Sequence, residues 1–321
     1  MVKILVVGIG GVGGYFGGLL AQANQGNEAL NIYFMARGAH LAAIKEHGLH
    51  VSKGEAAFVA RPALCSDKAE DFGKVDYIIL CTKSYDIEAT ISQLSSCVKE
   101  NTVFLPLLNG VDSSEKIKSM FPDHLVADGC AYIIGRLVAP GHIQNQGQYQ
   151  RIVFGIENET DARLDYLHTA FEKAGIEATL TRSVTSQIWE KFIFISSTAA
   201  VSSFHNKTFG QLKACEECCA DLKELVNEIC ELAAKMQIEL PEDIRERTWN
   251  RFISLSPEAT TSMHSDFIAG KTQTEVNSLL GYVIEKGNYY GTKVSKYREI
   301  FEQLTAPHRL APGTLQQKTS C

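Results

Sequence analysis

Gly8, Gly10 and Gly13 fall at the G-x-G-x-x-G spacing of a strand-to-helix turn that binds a dinucleotide. Each glycine has a mechanical reason to be there. Gly8 permits the tight turn, Gly10 lets the backbone approach a pyrophosphate, and Gly13 lets the helix pack on the strand. The helix that follows aims its N-terminal amides and the positive end of its dipole at the phosphates. Gly8, Ile9, Gly10, Gly11, Val12 and Gly13 are therefore the expected cofactor-binding turn. The competing reading is a glycine-rich turn with no ligand. Against it stand the apolar run Ile4–Val7 just before the turn and a helix-forming stretch just after it.

A second group of candidates follows the apolar runs that read as strands. Residues 31–36, NIYFMA, end at Arg37, where a turn that prefers NAD usually carries an acid for the ribose 2′-hydroxyl. No acid occurs between Asn31 and His40. A guanidinium suits a 2′-phosphate, so NADP(H) is the expected cofactor. An exposed turn arginine is the alternative. Lys83 immediately follows VDYIILCT, and Asn109-Gly110 closes the strand-like run after Thr102. Ligands of open α/β sheets bind beyond the carboxyl ends of the strands, which makes Lys83 and Asn109 candidates for cofactor and substrate. An Asn-Gly pair is also an ordinary turn.

Lys191 lies in WEKFIFIS, among aromatic and aliphatic residues that suit a half-buried ammonium. Hydride transfer to a ketone carbon creates an alkoxide, which needs a proton or a stabilising charge. Desolvation lowers a lysine's pKa and fits it for that task. The competing reading is a lysine that snorkels from an apolar helix face to water.

These residues must be positioned by two kinds of architecture. Up to about Arg182, apolar runs alternate with helical stretches; from Val184 the pattern is helical alone, with amphipathic segments such as residues 218–236 and 274–287. The fold class expected is α/β, an N-terminal Rossmann-type dinucleotide-binding domain followed by an all-α C-terminal domain. The expected division is residues 1–183, then a helical substrate and dimerisation domain over 184–305, then a frayed tail over 306–321. Residues 48–64 read as an antiparallel hairpin, and 125–155 as strands that finish the sheet.

Composition narrows the function classes. The 321 residues are 45% hydrophobic and 21% charged, near the globular average, which argues against disorder. The net charge of −6 and the absence of a basic run argue against nucleic acid or a membrane as partner. A cytoplasmic protein is expected, since no signal peptide or membrane span is legible. Nine cysteines include Cys215, Cys218 and Cys219 in CEECC, which has no matching second half-site. Reduced thiols and no metal are the expectation.

The motifs together resemble those of the ketopantoate reductases (2-dehydropantoate 2-reductases) over nearly the whole chain. The matching pieces are GIGGVGG, CTKSYD, LPLLNGVD, SQIWEKFIF, TTSMHSDFIAG and TEVNSLLGYVI, in that order. The resemblance implies reduction of a small 2-keto acid by NADPH. It implies Lys191 as general acid, Glu275 as a catalytic glutamate near cofactor and substrate, and Ser262 as a substrate-binding serine. Lys83 and Asn109 match positions facing nicotinamide and substrate. A homodimer is an assembly that the residues themselves do not fix. The chain also departs from the family pattern. Ile195 and Ala199 stand where the family commonly has asparagines, and Ser196, Ser197 and Thr198 beside them are possible replacements on other helix faces. The stretch from Asp266 to Glu275 is one residue longer, and VSKY from Val294 lacks a common proline. A related dehydrogenase for another oxo acid and a non-catalytic NADP-binding sensor are the alternatives.

Overall fold

The computed structural model of the chain describes residues 1–306; the tail expected beyond Ala306 lies outside the described residues. Two compact units make up the chain: Met1–Leu108 with Asp112–Val184, and Asn109–Val111 with the residues from Thr185 on.

The first unit is built on a parallel sheet of six strands. In chain order they are Val2–Val7, Leu30–Met35, Leu64–Ser66, Tyr77–Leu80, Val103–Pro106 and Leu125–Val126. Numbered one to six in that order, they lie side by side as 3-2-1-4-5-6, all parallel. This is the doubly wound dinucleotide-binding order. Both faces are buried, which is why the strands read as unbroken apolar runs. Ile4, Val6, Ile32, Phe34 and Ile79 enter one core cluster; Leu5, Val7, Tyr33, Ile78 and Leu80 enter the other. Register sets the functional edge. Val7 pairs with both Met35 and Leu80, and Leu80 pairs with Pro106. Gly8, Arg37 and Lys83 therefore leave the sheet from the same end.

Leu49–Lys53 and Ala56–Ala60 form the expected antiparallel hairpin. Residues 125–155 do not all finish the main sheet. Leu125–Val126 alone joins it; Asp128–Tyr132 runs antiparallel to Arg151–Gly155, and Gly135–Ala139 pairs with His142–Asn145. The turn at Pro140-Gly141, with Gly141 at φ 75°, folds the latter pair into a hairpin. That hairpin joins the Leu49–Lys53 strand instead. Gly135 packs so closely on Gly11 that a Cβ on either would meet the other's backbone.

The second unit is helical. Its longest helix, Val184–His205, contributes Trp189, Phe192, Ile193 and Val201 to a core shared with Glu216–Lys235, Tyr282–Tyr290 and Ser295–Thr305. Glu228 is buried, yet both of its oxygens are used at the start of the last helix. Oε1 accepts from the Ser295 hydroxyl and the Lys296 amide, and Oε2 accepts from the Tyr297 amide. A carboxylate there satisfies amides that a helix start leaves without partners. The helical stretch expected over 274–287 opens as a π-helical turn, Asn277–Gly281, before the α-helix Tyr282–Tyr290. No helix among the described residues is long and apolar enough to cross a membrane.

Candidate active site

The glycine turn has the shape its sequence predicts. Gly8 sits at φ 88°, and a Cβ there would lie 2.8 Å from the Thr82 amide nitrogen. A Cβ on Gly13 would collide with the Gly8 carbonyl. Gly10 is different: a Cβ there would meet nothing within 4 Å. Open space at that glycine, ahead of a helix with no acid in its first turn and no side-chain cap, fits the pyrophosphate of a dinucleotide. Gly11 uses its missing side chain to admit Gly135. Ile9 is buried in the core, and Val12 packs partly against it.

His40 holds this turn, and nothing in the sequence pointed to it. The Gly141 amide donates to His40 Nδ1 at 2.8 Å, so Nδ1 carries no proton. Nε2 must then carry it, and it donates to the Ile9 carbonyl at 2.7 Å. Burial lowers the imidazole's pKa, partly offset by the bond to Ile9, and keeps the ring neutral. The signal that would have revealed this role is a contact across 101 residues, which local pattern does not carry.

Arg37 lies exposed just beyond the second strand, and its Nη2 lies 3.4 Å from Asp86 Oδ2. At 82% side-chain exposure this is a weak, screened pair. Asp86 closes a turn on Lys83, its amide donating to the Lys83 carbonyl at 3.0 Å. The half-buried Lys83 thus shares a turn with the carboxylate that faces Arg37.

In the helical unit, Lys191, Asn109 and Glu275 come together from three distant parts of the chain. Lys191 Nζ donates to Asn109 Oδ1 at 3.1 Å, and Asn109 Nδ2 donates to Glu275 Oε2 at 3.5 Å. Lys191 is 7% exposed and Glu275 2%. Buried charges need partners, and the asparagine amide offers an acceptor to one and a donor to the other. Glu275 is held from its own side as well. Its carbonyl accepts from the Leu279 amide and the Ser278 hydroxyl at the mouth of the π-helical turn, a feature common at functional sites.

Ser262 is not drawn into this group. It is exposed at the first position of Ser262–Ile268 and makes no hydrogen bond with the trio among the described residues. Ile195 is half-buried against the helical core and Ala199 is fully buried. The neighbouring hydroxyls are already engaged. Ser196 Oγ lies 2.8 Å from the Leu279 carbonyl and 3.0 Å from the Tyr297 hydroxyl. Ser197 and Thr198 donate back to the carbonyls of Ile193 and Phe194. Among the described residues, no group of three or more His, Cys, Asp or Glu is placed to hold a metal ion.

Comparison with known proteins bears on both units. Residues 4–159 match the family model described as Ketopantoate reductase PanE/ApbA, and residues 183–308 match its C-terminal counterpart. A Bacillus subtilis protein named Uncharacterized oxidoreductase YkpB is 31% identical over 287 residues, covering 88% of this chain and 91% of that one. The crystal structure of 2-dehydropantoate 2-reductase from Porphyromonas gingivalis W83 superposes with a TM-score of 0.82 at 31% identity, covering 94% of this chain and 99% of that one. A D-mandelate dehydrogenase, solved with NADH and anilino(oxo)acetate, shares the fold at 22% identity and a TM-score of 0.82, over 94% and 96% of the two chains.

Proposed function

The chain belongs to the ketopantoate reductase PanE/ApbA family, NAD(P)-dependent oxidoreductases acting on CH–OH groups, and on that premise we propose that it reduces a small 2-keto acid with NADPH, ketopantoate being the leading substrate. The observation that carries the reading is the buried Lys191–Asn109–Glu275 chain. Bound NADPH would supply the hydride. The backbone around Gly10 would hold its pyrophosphate, and Arg37 its 2′-phosphate.

Lys191 gives the proton that the keto oxygen needs. A buried ammonium stabilises the developing alkoxide and then protonates it. Asn109 keeps the ammonium aimed, because its oxygen accepts one of the ammonium's N–H bonds. Glu275, fixed by the Asn109 amide and the π-helical turn, orients the substrate hydroxyl or the nicotinamide ribose. Lys83 and Ser262 are substrate contacts in this reading, on the family match alone.

A second reading, reduction of another small oxo acid, is favoured by one observation. Ile195 and Ala199 stand in place of the family's asparagines, and the hydroxyls beside them are committed to the fold. An apolar pocket leaves polar groups of ketopantoate poorly paired, which is costly. NADPH oxidation measured across a panel of 2-keto acids, ketopantoate included, decides between the two. Highest kcat/KM on ketopantoate supports the first reading; a marked preference for a more apolar oxo acid supports the second. No turnover of any panel member would remove the proposal.

A further inference from the structure

CEECC, which the reductase chemistry does not use, sets Cys215 and Cys218 side by side at the start of one helix. Cys215 is the N-cap of the twenty-residue helix Glu216–Lys235, and its sulfur accepts a hydrogen bond from the Cys218 amide at 3.3 Å. Residues three apart at a helix start have Cα atoms about 5 Å apart, inside the roughly 4.4–6.8 Å that a disulfide spans. Cys215 is half-buried and reachable, whereas Cys218 is 1% exposed beneath it.

We propose that Cys215 and Cys218 are a redox-active dithiol, in which Cys215 attacks small-molecule disulfides and Cys218 resolves the product into an intramolecular disulfide.

The electrostatics agree with this division. Burial opposes ionisation of Cys215, but hydrogen bonds from the Cys218 thiol and amide, with the nearby Lys207 ammonium, outweigh it and bring the thiol below its ordinary value. Glu216 and Glu217 in the first turn work against the helix dipole, so those local bonds matter more than the helix end. Cys218 is pushed up to about 12, chiefly by burial and then by Cys215. Cys219 is a poor competitor. Its sulfur faces the Leu212 and Lys213 carbonyls, and burial raises its pKa.

The chemistry balances with glutathione disulfide as oxidant. The Cys215 thiolate bonds to one sulfur of the glutathione disulfide, whose S–S bond breaks to release a glutathione thiolate that takes up a proton. Cys218 then loses its proton and attacks the Cys215 sulfur. The mixed disulfide breaks and the second glutathione leaves as thiol. Two protein thiols are oxidised and one glutathione disulfide is reduced to two thiols.

The test uses the full chain equilibrated in glutathione buffers of rising disulfide content, acid-quenched, alkylated and mapped by mass spectrometry. The expected result is a Cys215–Cys218 cross-link as the main disulfide, unchanged in Cys219→Ser. Cys218→Ser should instead accumulate glutathione on Cys215, and Cys215→Ser should leave Cys218 unmodified. In the unaltered protein, brief iodoacetamide treatment should label Cys215 faster than Cys219, because the first thiol is lowered and the second raised from the ordinary value. Equal labelling of the two, or glutathione on Cys215 that never resolves to a cross-link in the unaltered protein, would overturn the proposal.

Discussion

The Lys191 ammonium donates a hydrogen bond to the Asn109 side-chain oxygen across 3.1 Å, and that bond fixes which way round the amide lies. With the oxygen turned to Lys191, the NH₂ group can only face Glu275, where it is found at 3.5 Å. One neutral side chain thus keeps a buried cation and a buried carboxylate aimed without neutralising either.

Asn109→Ala should therefore disturb both partners. Losing a hydrogen bond to a charged group costs about 1.5–3 kcal/mol, so the denaturation midpoint should fall along with the rate of hydride transfer. Asn109→Asp keeps an acceptor for Lys191 but sets a second carboxylate against Glu275, and should recover stability less than activity. Urea titration and single-turnover kinetics on both variants check this. Unchanged stability and rate in Asn109→Ala would mean that the amide is a bystander.

Gly10 and Gly13 separate cofactor binding from folding. Gly10 has open space around the position of a Cβ, whereas a Cβ on Gly13 would collide with Gly8. Gly10→Ala should fold with near-normal thermal stability yet bind NADPH at least about tenfold more weakly, a loss of about 1.4 kcal/mol. Gly13→Ala should lose stability itself. Calorimetric titration of Gly10→Ala showing unaltered NADPH affinity would place the pyrophosphate elsewhere.

The Arg37–Asp86 pair bears on cofactor choice. Arg37→Ala should weaken NADPH binding by about 1.5–3 kcal/mol, the scale of a charged hydrogen bond, and leave NADH almost untouched. Asp86→Asn should act the other way. A surface pair is worth up to about 1 kcal/mol, so releasing the guanidinium should tighten NADPH binding by up to about fivefold. Fluorescence titration with both nucleotides checks the signs. Equal losses for both cofactors in Arg37→Ala would count against a 2′-phosphate contact.

His40 makes the glycine turn sensitive to acid. Its folded pKa lies below the ordinary 6.5, so the unfolded chain takes up a proton first as pH falls. The neutral ring's contribution is complete above about pH 6.5 and is lost as pH drops below that value toward the lowered folded pKa. His40→Gln should remove this part of the pH dependence while lowering stability at pH 8. Superimposable stability–pH curves for the two proteins would contradict the assignment.

Four of the sheet's six strands were legible because they are buried on both faces and read as unbroken apolar runs, three of them leading to Gly8, Arg37 and Lys83; the short edge strand Leu64–Ser66 was not. The hairpin at residues 49–60 was legible from alternation. Residues 125–155 were only partly so, because strand composition does not say which sheet a strand joins; Gly11 and Gly135 settle that by close approach. His40 and Asp86 were missed for the same reason. Each acts on a partner 31 or more residues away. The serines beside Ile195 looked available in sequence, yet Ser196 is committed to Leu279 and Tyr297, neither near it in the chain.

The central claim is that Lys191 is the proton donor, and single-turnover hydride transfer measures it most directly. Lys191→Ala, mixed with NADPH and a keto acid that the unaltered protein accepts, should transfer hydride about 10²–10⁴-fold more slowly. Its affinity for NADPH, measured on the same preparation, should be retained. Lys191→Arg should not rescue the rate, since a guanidinium hardly releases a proton in proteins. A Lys191→Ala protein that transfers hydride at a near-normal rate would contradict the account.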